Sequence, residues 1–277
     1  MNKIAGSCPT QPPKELVDAY TMGGKLDIED QWKCQTGPEY DKKHEYTKED
    51  IDDKVMRVKA RMTNYYGKTD SWLYTAMEQF PITGKHVVIM GSQRPIYEAV
   101  CLVFGGSHCT TIDFQPIIIP KYDRFTTMTL DQYDAKPQAF DAAISISSFE
   151  HDGLGRYGDP LRPNGDLDMM KKMKCILKPD GIMYLSVPIA KDKVVWNMHR
   201  IYGQIRLPEL LAEWTLLDVI ADEKMYQRWS GCDCYKEGDY EPILVLKNAK
   251  PQPGANVAIL NRYLLKDFKP GTSCYNN

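Results

Sequence analysis

The sequence has no run of the roughly 20 apolar residues that span a bilayer, and its first residues lack the apolar stretch of a signal peptide. It also lacks an excess of charge of either sign, since 35 Lys and Arg against 37 Asp and Glu give a net charge of −2. Such a balance carries no electrostatic signature of nucleic-acid or anionic-membrane binding. We therefore expect a cytoplasmic protein with no membrane span and no nucleic-acid partner, acting on a small molecule or a glycan.

The cysteines lack the spacing of a metal site. The sequence has eight of them, and Cys232 and Cys234 are separated by one residue, whereas common zinc sites place a pair of residues between their cysteines. We therefore expect no metal. Cysteines within predicted helices or strands are expected to be small buried hydrophobes. Cys232 and Cys234, with Cys8, Cys34 and Cys274, could form a metal or disulfide site, but we expect free thiols or a redox-sensitive loop.

Composition divides the chain into three parts. Residues 1–45 are polar, contain prolines and show little periodicity, which predicts an N-terminal arm or a cap over a site later in the chain. Residues 46–250 carry regular apolar patterns and are expected to form one Rossmann-like domain, followed by a C-terminal extension over 251–277. Within this domain, apolar residues at three- to four-residue spacing predict a helix over 48–80.

Short apolar runs then alternate with helical patterns. Runs rich in β-branched residues predict strands over 85–90, 108–113, 124–130, 140–147, 181–188, 214–220 and 241–247. Amphipathic patterns predict helices over 95–104, 166–177 and 207–213. This alternation indicates an α/β fold with a mostly parallel seven-stranded sheet and helices on both faces. Because no helical pattern separates the last two strands, we expect them to form an antiparallel hairpin at one edge.

The first two predicted strands are followed by residues suited to a nucleotide. In an open α/β sheet, ligands bind outside the carboxyl ends of the strands, where the strand order reverses. Gly91 lets the backbone approach a ligand closely, and Asp113 follows it at close to the roughly 20 residues that suit a carboxylate bound to ribose hydroxyls. Each residue alone also fits an ordinary turn, but the pair favours a ligand site.

The segment after the fourth predicted strand, residues 147–160, is the most unusual of the sequence, and we call it the acidic loop. It combines acids, a histidine, an arginine and a tyrosine with several glycines. Charged groups after a buried strand need partners or solvent, and loops on a rigid scaffold often carry function. A solvated surface loop is the alternative. The candidate site residues of the acidic loop are Glu150, His151, Asp152, Arg156 and Tyr157, and those beyond the fifth strand are His199 and Arg200.

Together these segments resemble the class I S-adenosylmethionine-dependent methyltransferases. The likeness lies in the runs Val87 to Gly91, Thr111 to Asp113, Phe140 to His151 and Leu177 to Gly181, and it covers about residues 80–250. It implies a Rossmann-like fold with S-adenosyl-L-methionine as cofactor. More narrowly, residues 150–160 and 198–208 resemble a little-characterised family of unknown function that is well represented in nematodes.

The resemblance also implies positions for the cofactor. Gly91, Ser92 and Gln93 would lie against its methionine part, Asp113 would hold the ribose, and Ser148 and Phe149 would lie beside the sulfonium or the adenine. The chain departs from the family in its first loop, where a glycine-rich continuation is missing.

Methyl transfer to a hydroxyl or an ammonium needs a base, and an unperturbed histidine titrates near neutral pH. We therefore expect His151, Asp152 and His199 to be the catalytic residues, with His151 or Asp152 orienting or deprotonating the acceptor. Glu150, Arg156, Tyr157 and Arg200 are expected to bind the substrate, and Arg200 would suit a carboxylate or phosphate on it.

Two alternatives remain open at this stage. The first is a catalytically inactive protein of the same fold that binds or regulates. The second is a nicotinamide-dependent oxidoreductase, against which the missing glycine fingerprint and the paired final strands both argue.

Overall fold

The structure, a computed structural model, describes residues 8–36, 44–119, 122–222 and 241–263. Its strands are β1 (Asp27–Gln31), β2 (His44–Glu45), β3 (His86–Met90), β4 (His108–Asp113), β5 (Ile117–Ile118), β6 (Phe125–Thr129), β7 (Phe140–Ile146), β8 (Leu177–Ser186), β9 (Lys193–Asn197), β10 (His199–Ile201), β11 (Thr215–Ile220) and β12 (Ile243–Lys247). Its helices are α1 (Lys14–Tyr20), α2 (Lys48–Lys59), α3 (Lys68–Gln79), α4 (Ile96–Val103), α5 (Leu130–Ala135), α6 (Gly165–Ile176), α7 (Arg206–Leu210) and α8 (Ala255–Tyr263).

The central sheet has seven strands in the order β11-β12-β8-β7-β3-β4-β6. All neighbours are parallel except β12, which runs antiparallel to both β8 and β11. This confirms the predicted α/β fold with a mostly parallel seven-stranded sheet and an antiparallel strand pair at one edge. The chain builds outwards from β3 in one direction and from β7 in the other. The strand order therefore reverses between β3 and β7, which is where such sheets bind ligands.

Both faces of the sheet are covered. Along β3, Val88 and Met90 belong to one buried core, and Val87 and Ile89 belong to the core on the opposite face. Successive side chains of a strand point to opposite faces, so a strand that is apolar throughout must be covered on both sides. The continuous apolar run of β3 is thus explained by its central place in the sheet.

The prediction of a single helix over 48–80 is wrong, because the structure has two helices there. α2 follows Thr47, whose side chain accepts a hydrogen bond from the Asp50 amide in a capping box. Between α2 and α3, Arg61 and Gly67 both have a φ of +55°, in the left-handed region that ends helices. The apolar spacing continues across this break, so periodicity alone did not reveal it.

A second sheet, of strands β1, β9 and β10, was not predicted from the sequence. β1 pairs in parallel with β9 and joins residues 8–36, which we call the N-terminal segment, to the chain beyond β8. The Tyr20 hydroxyl donates to the Gly153 carbonyl at 2.6 Å, and the Trp196 indole donates to the Pro9 carbonyl at 3.1 Å. The N-terminal segment therefore lies against the acidic loop.

The cysteine prediction needs correction. Cys8 and Cys34 form one disulfide, with their Cα atoms 5.5 Å apart, and Cys101 and Cys109 form another at 6.6 Å. Both distances lie within the usual range for disulfides. Cys175, expected to be buried, is an exposed free thiol. The remaining cysteines, Cys232, Cys234 and Cys274, lie outside the described residues.

Within the described parts of the chain, no helix combines the length and the apolar character needed to cross a bilayer. The same residues contain no cluster of three or more His, Cys, Asp or Glu side chains that could hold a metal ion.

Candidate functional site

The loops that follow β3, β4 and β7 meet at the carboxyl edge of the sheet and line one cavity of about 970 Å³. This is at the upper end of the size usual for small-molecule and cofactor sites. The predicted cofactor residues at its wall are Gly91, Ser92, Gln93, Asp113, Ser148 and Phe149. The predicted catalytic and substrate residues at its wall are Glu150, His151, Asp152, Arg156, Tyr157 and His199. The structure thus brings twelve predicted site residues to one hollow.

Gly91, in the loop after β3, touches the loop after β7. Its φ of +74° lies in the left-handed region, and a Cβ atom added there would meet the Ser148 hydroxyl oxygen at 2.4 Å. A residue with a side chain would suffer both backbone strain and this contact. The position therefore requires glycine, although the longer glycine fingerprint is absent.

Hydrogen bonds hold the first loop to the second. The Ser92 amide donates to Asp113 Oδ2 at 3.0 Å, and the Gln115 amide donates to Asp113 Oδ1 at 2.9 Å. The buried Ser92 hydroxyl lies 3.1 Å from Glu98 Oε2, so it faces away from the cavity. Asp113 fixes the loop backbone as well as lining the cavity.

Both candidate histidines are neutral at physiological pH. Burial, and then the charge of Arg156, lower the pKa of His151 to about 3 and that of His199 to about 4. His151 Nδ1 lies 2.5 Å from the Met198 carbonyl oxygen, which can only accept a hydrogen bond. Nδ1 therefore carries the proton and Nε2 presents a lone pair. His151 is arranged as a hydrogen-bond acceptor, and its low pKa argues against the predicted role of general base at pH 7.

The pKa of Asp152 is shifted in the opposite direction from that of the two histidines. Burial, and then the nearby Asp159 carboxylate, raise the pKa of Asp152 well above its usual range. Burial thus favours the protonated form of this carboxyl group.

A pair of carboxyl groups lies beside the histidines, and we call Glu150 and Glu241 the carboxylate pair. The Ser147 hydroxyl lies 2.6 Å from Glu150 Oε1 and 3.4 Å from Glu241 Oε1. Burial is the main cause that raises the pKa of both groups, and for Glu150 repulsion from Glu241 follows.

Sequence reasoning missed Glu241, Ser147, Tyr66 and Tyr97, all of which line the cavity. One signal was available for Glu241. It precedes β12, the antiparallel strand of the sheet, and an antiparallel strand begins at the edge where its parallel neighbours end. The first residues of β12 therefore lie beside the acidic loop, and the Ser186 hydroxyl donates to the Glu241 carbonyl at 2.9 Å.

The predicted role of Arg200 in substrate binding needs correction. Arg200 is 1% exposed and is not part of the cavity wall. Its guanidinium donates to four backbone carbonyls, those of Glu150, Asp152, Arg162 and Pro163. It also lies 3.6 Å from Asp166. These hydrogen bonds hold the acidic loop in place, since four backbone carbonyls converge on one planar guanidinium group. They also occupy the donors that a substrate carboxylate or phosphate would need.

The N-terminal segment contributes to the mouth of the cavity. Arg156 Nε donates to the Gln35 side-chain oxygen at 2.7 Å, and the Gln35 backbone N–H donates to the Arg156 carbonyl at 2.8 Å. Cys34, next to Gln35, is bonded to Cys8, and Lys33 lines the cavity. The segment is thus tied to the acidic loop through Arg156.

Residues 84–229, just over half of the chain, match the family described as "Caenorhabditis protein of unknown function, DUF268". No curated protein shows significant sequence similarity to the chain.

Solved structures of similar shape share little sequence with this chain. An S-adenosylmethionine-dependent methyltransferase from Mesorhizobium loti is 12% identical, covering 64% of this chain and 97% of that one, with a TM-score of 0.42. The [4+2]-cyclase SpnF is 16% identical, covering 73% and 93%, with a TM-score of 0.44. One chain of a complex containing the Haloferax volcanii Trm112 methyltransferase activator is 16% identical, covering 74% and 97%, with a TM-score of 0.42. These similarities assign no reaction to the chain.

Proposed function

The chain belongs to the family described as Caenorhabditis protein of unknown function, DUF268, and we propose that it is an S-adenosylmethionine-dependent methyltransferase acting on a small-molecule or sugar-type acceptor. One observation carries the proposal. The loops after three strands meet around a single cavity at the point where the strand order reverses, and Gly91, Asp113 and Phe149 all line it.

The residues at this edge fit the cofactor. Gly91 lets its loop pack directly against Ser148 at the cavity wall, which a side chain would prevent, and a carboxylate at Asp113 suits ribose hydroxyls. Ser148 provides a polar group beside them, and Phe149, which also borders the cavity, is packed in the hydrophobic core. When bound, S-adenosylmethionine supplies an electrophilic methyl group to a nucleophile held in line with it.

The residues around the cavity suit the binding of an acceptor. His151 Nε2 would accept a hydrogen bond from the acceptor, and His199, Arg156 and Tyr157 complete this part of the wall. The N-terminal segment, through Lys33, would restrict access of water to the same region, as a cap does.

Calorimetric titration with S-adenosylmethionine and with S-adenosylhomocysteine tests the proposal. We expect saturable binding of both ligands to the wild-type protein. Gly91→Ala should abolish or strongly weaken this binding, because the new Cβ atom would enter the contact between Gly91 and Ser148.

Gly84→Ala is the matched control for this variant. Gly84 has a φ of +73°, nearly that of Gly91, but a Cβ atom there would meet nothing within 4 Å. Both variants carry the same backbone strain, of about 1 kcal/mol, and only Gly91→Ala alters the cavity. Equal binding by the two variants would contradict the proposed cofactor position.

A catalytically inactive binding or regulatory protein is the second candidate function. The departure from the glycine fingerprint at Ser92 and Gln93 favours it. No affinity of the wild-type protein for either ligand would support this candidate, and a fluorescence titration with NADH would identify a nicotinamide-binding protein.

A further inference from the structure

The carboxylate pair has an unusual arrangement for two buried acids. Glu150 is 0% exposed, and its Oε1 atom lies within hydrogen-bond distance of the Ser147 hydroxyl, which Glu241 also approaches. A hydroxyl has one hydrogen to donate, so it satisfies only one of the two groups at a time. When both groups are ionised, the pair is therefore short of donors.

Other atoms around the pair lack hydrogen-bond partners as well. Among the residues that the structure describes, Glu150 Oε2, Glu241 Oε2 and the Tyr97 hydroxyl are inaccessible to solvent and have no hydrogen-bond partner. All three residues line the cavity, and Tyr97 is only 5% exposed. Buried polar atoms are rarely left unpaired, since each costs about 1–3 kcal/mol of stability. Such a group of atoms at a cavity wall indicates a ligand that supplies donors.

The number of acceptors indicates which chemical group this ligand carries. His151 Nε2, with its lone pair, lies 3.6 Å from Glu150 Oε1. Together with the buried Oε2 atoms of the carboxylate pair, this nitrogen makes three acceptors on residues that line the cavity. A hydroxyl group supplies one donor, whereas a primary ammonium supplies three donors and a positive charge. An ammonium matches both the number of acceptors and their charge.

We infer that the carboxylate pair binds the protonated amino group of the substrate, so that the substrate is a primary amine. The inference rests on the proposed function, of which it names the substrate class. Two further features agree with it. An ionised carboxylate of the pair can take one proton from the bound ammonium, which leaves the amine nitrogen with a free lone pair. Burial also raises the pKa of both carboxyl groups, which makes them better proton acceptors than ordinary carboxylates.

Binding of matched amines and alcohols tests the inference without knowledge of the natural substrate. The probes are glucosamine with glucose, ethanolamine with ethylene glycol, and phenethylamine with 2-phenylethanol. Each is titrated into the protein by ligand-observed NMR, with and without S-adenosylhomocysteine. We expect at least one amine to bind at least about tenfold more tightly than its hydroxyl counterpart. A tenfold difference in affinity corresponds to about 1.4 kcal/mol.

Two variants test whether the carboxylate pair causes the preference for amines over alcohols. Glu150→Gln and Glu241→Gln keep the shape of each side chain and remove its charge, so each should reduce the preference to below about threefold. Glu209→Gln, an exposed acid on α7, is the control and should retain it. If a glutamine variant fails to fold, the wild-type comparison of amine with alcohol still decides the question.

The outcomes separate the inference from the proposed function. No amine preference in the wild-type protein, or a preference that survives in both glutamine variants, overturns the inference. Binding of S-adenosylhomocysteine without any amine preference removes the amine substrate alone and leaves the proposed function standing. Amine preference without binding of S-adenosylhomocysteine removes the methyltransferase proposal and leaves an amine-binding site.

Discussion

Two clusters of buried charge involve the acidic loop, and they are built on opposite principles. In the first, Asp166 contacts Arg206 at 2.6 Å, Tyr202 at 2.9 Å and Arg200 at 3.6 Å, and Arg200 donates to carbonyls of the loop. We call these four residues the Asp166 cluster. In the second, the carboxylate pair, which includes Glu150 of the loop, sets like charges side by side with one shared hydroxyl. One cluster joins opposite charges and the other joins like charges.

The difference in pKa between the two clusters follows from their partners. Burial alone raises the pKa of Asp166, but Arg200 and Arg206 outweigh it and hold the pKa below its usual range. Burial raises the pKa of Glu150, and repulsion from Glu241 adds to it. The Asp166 cluster therefore stabilises the fold as it stands, whereas the carboxylate pair costs stability until a cation binds.

The largest expected effect concerns the Asp166 cluster. Asp166→Ala removes the carboxylate between two buried guanidinium groups, so we expect the free energy of unfolding to fall by about 3–5 kcal/mol. Urea-induced unfolding measures this change. Asp168→Ala is the control, because Asp168 is exposed in the same first turn of α6 and should cost less than about 1 kcal/mol. Similar losses in the two variants would mean that the Asp166 cluster is not a stabilising one.

The carboxylate pair should respond in the opposite direction. Glu150→Gln removes one of two like charges, so we expect the free energy of unfolding near pH 8 to rise by roughly 1–3 kcal/mol, since a tenfold change in proton affinity is about 1.4 kcal/mol. The same variant should lose its amine preference, as expected where a binding site is kept at the expense of stability. A marked loss of stability in Glu150→Gln, measured by the same urea titration, would contradict the comparison.

The sequence predicted the central sheet well because each strand lies in a continuous apolar run between clear breaks. The strands of the small sheet could not be found in this way. β1 reads Asp-Ile-Glu-Asp-Gln, with no alternation of apolar residues, and it is a strand only because β9 lies alongside it. Pairing over such a distance along the chain leaves no local signal.

The candidate site was predicted only in part, because some of its features depend on local sequence and others on distant parts of the chain. Gly91, Asp113 and the acidic loop follow predicted strands, so the ends of those strands indicated that they would meet. Arg200 has the same residue type as a substrate-binding arginine, and only the carbonyls around it reveal its structural role. The protonation states of His151 and Asp152 depend on burial and on charges from other loops, which no local pattern encodes.

The disulfides also bear on the expected location of the protein. Disulfides persist in oxidising compartments and are rare in the cytosol. The bonds Cys8–Cys34 and Cys101–Cys109 therefore weigh against the cytoplasmic expectation, which stays a prediction. Alkylation of denatured protein from its native source, without reductant, should leave these four cysteines unmodified, and alkylation of all of them would favour the cytosol.

The smallest expected effect is a difference in pH dependence between the two clusters. The raised pKa of Glu150 and Glu241 means that the folded state binds more protons than the unfolded state above the ordinary glutamate pKa of about 4.3. Their contribution to stability therefore falls as the pH rises from there to the raised values, and it is constant above them. The lowered pKa of Asp166 has the reverse effect, since its contribution is fully present above about pH 4 and is lost as the pH falls below that.

Other groups that face the carboxylate pair titrate in the same range, so the measurement must be a difference. His151 has a lowered pKa, which makes stability rise with pH up to about 6.5, and the raised pKa of Asp152 acts in the opposite sense. Subtracting the unfolding free energy of the wild type from that of a Glu150→Gln, Glu241→Gln double variant cancels these contributions. We expect the difference to be near zero at about pH 4, below the ordinary glutamate pKa, and to grow in favour of the variant towards pH 8. A difference that does not change with pH would mean that the two glutamates do not share a raised pKa, and the contrast with the Asp166 cluster would then be lost.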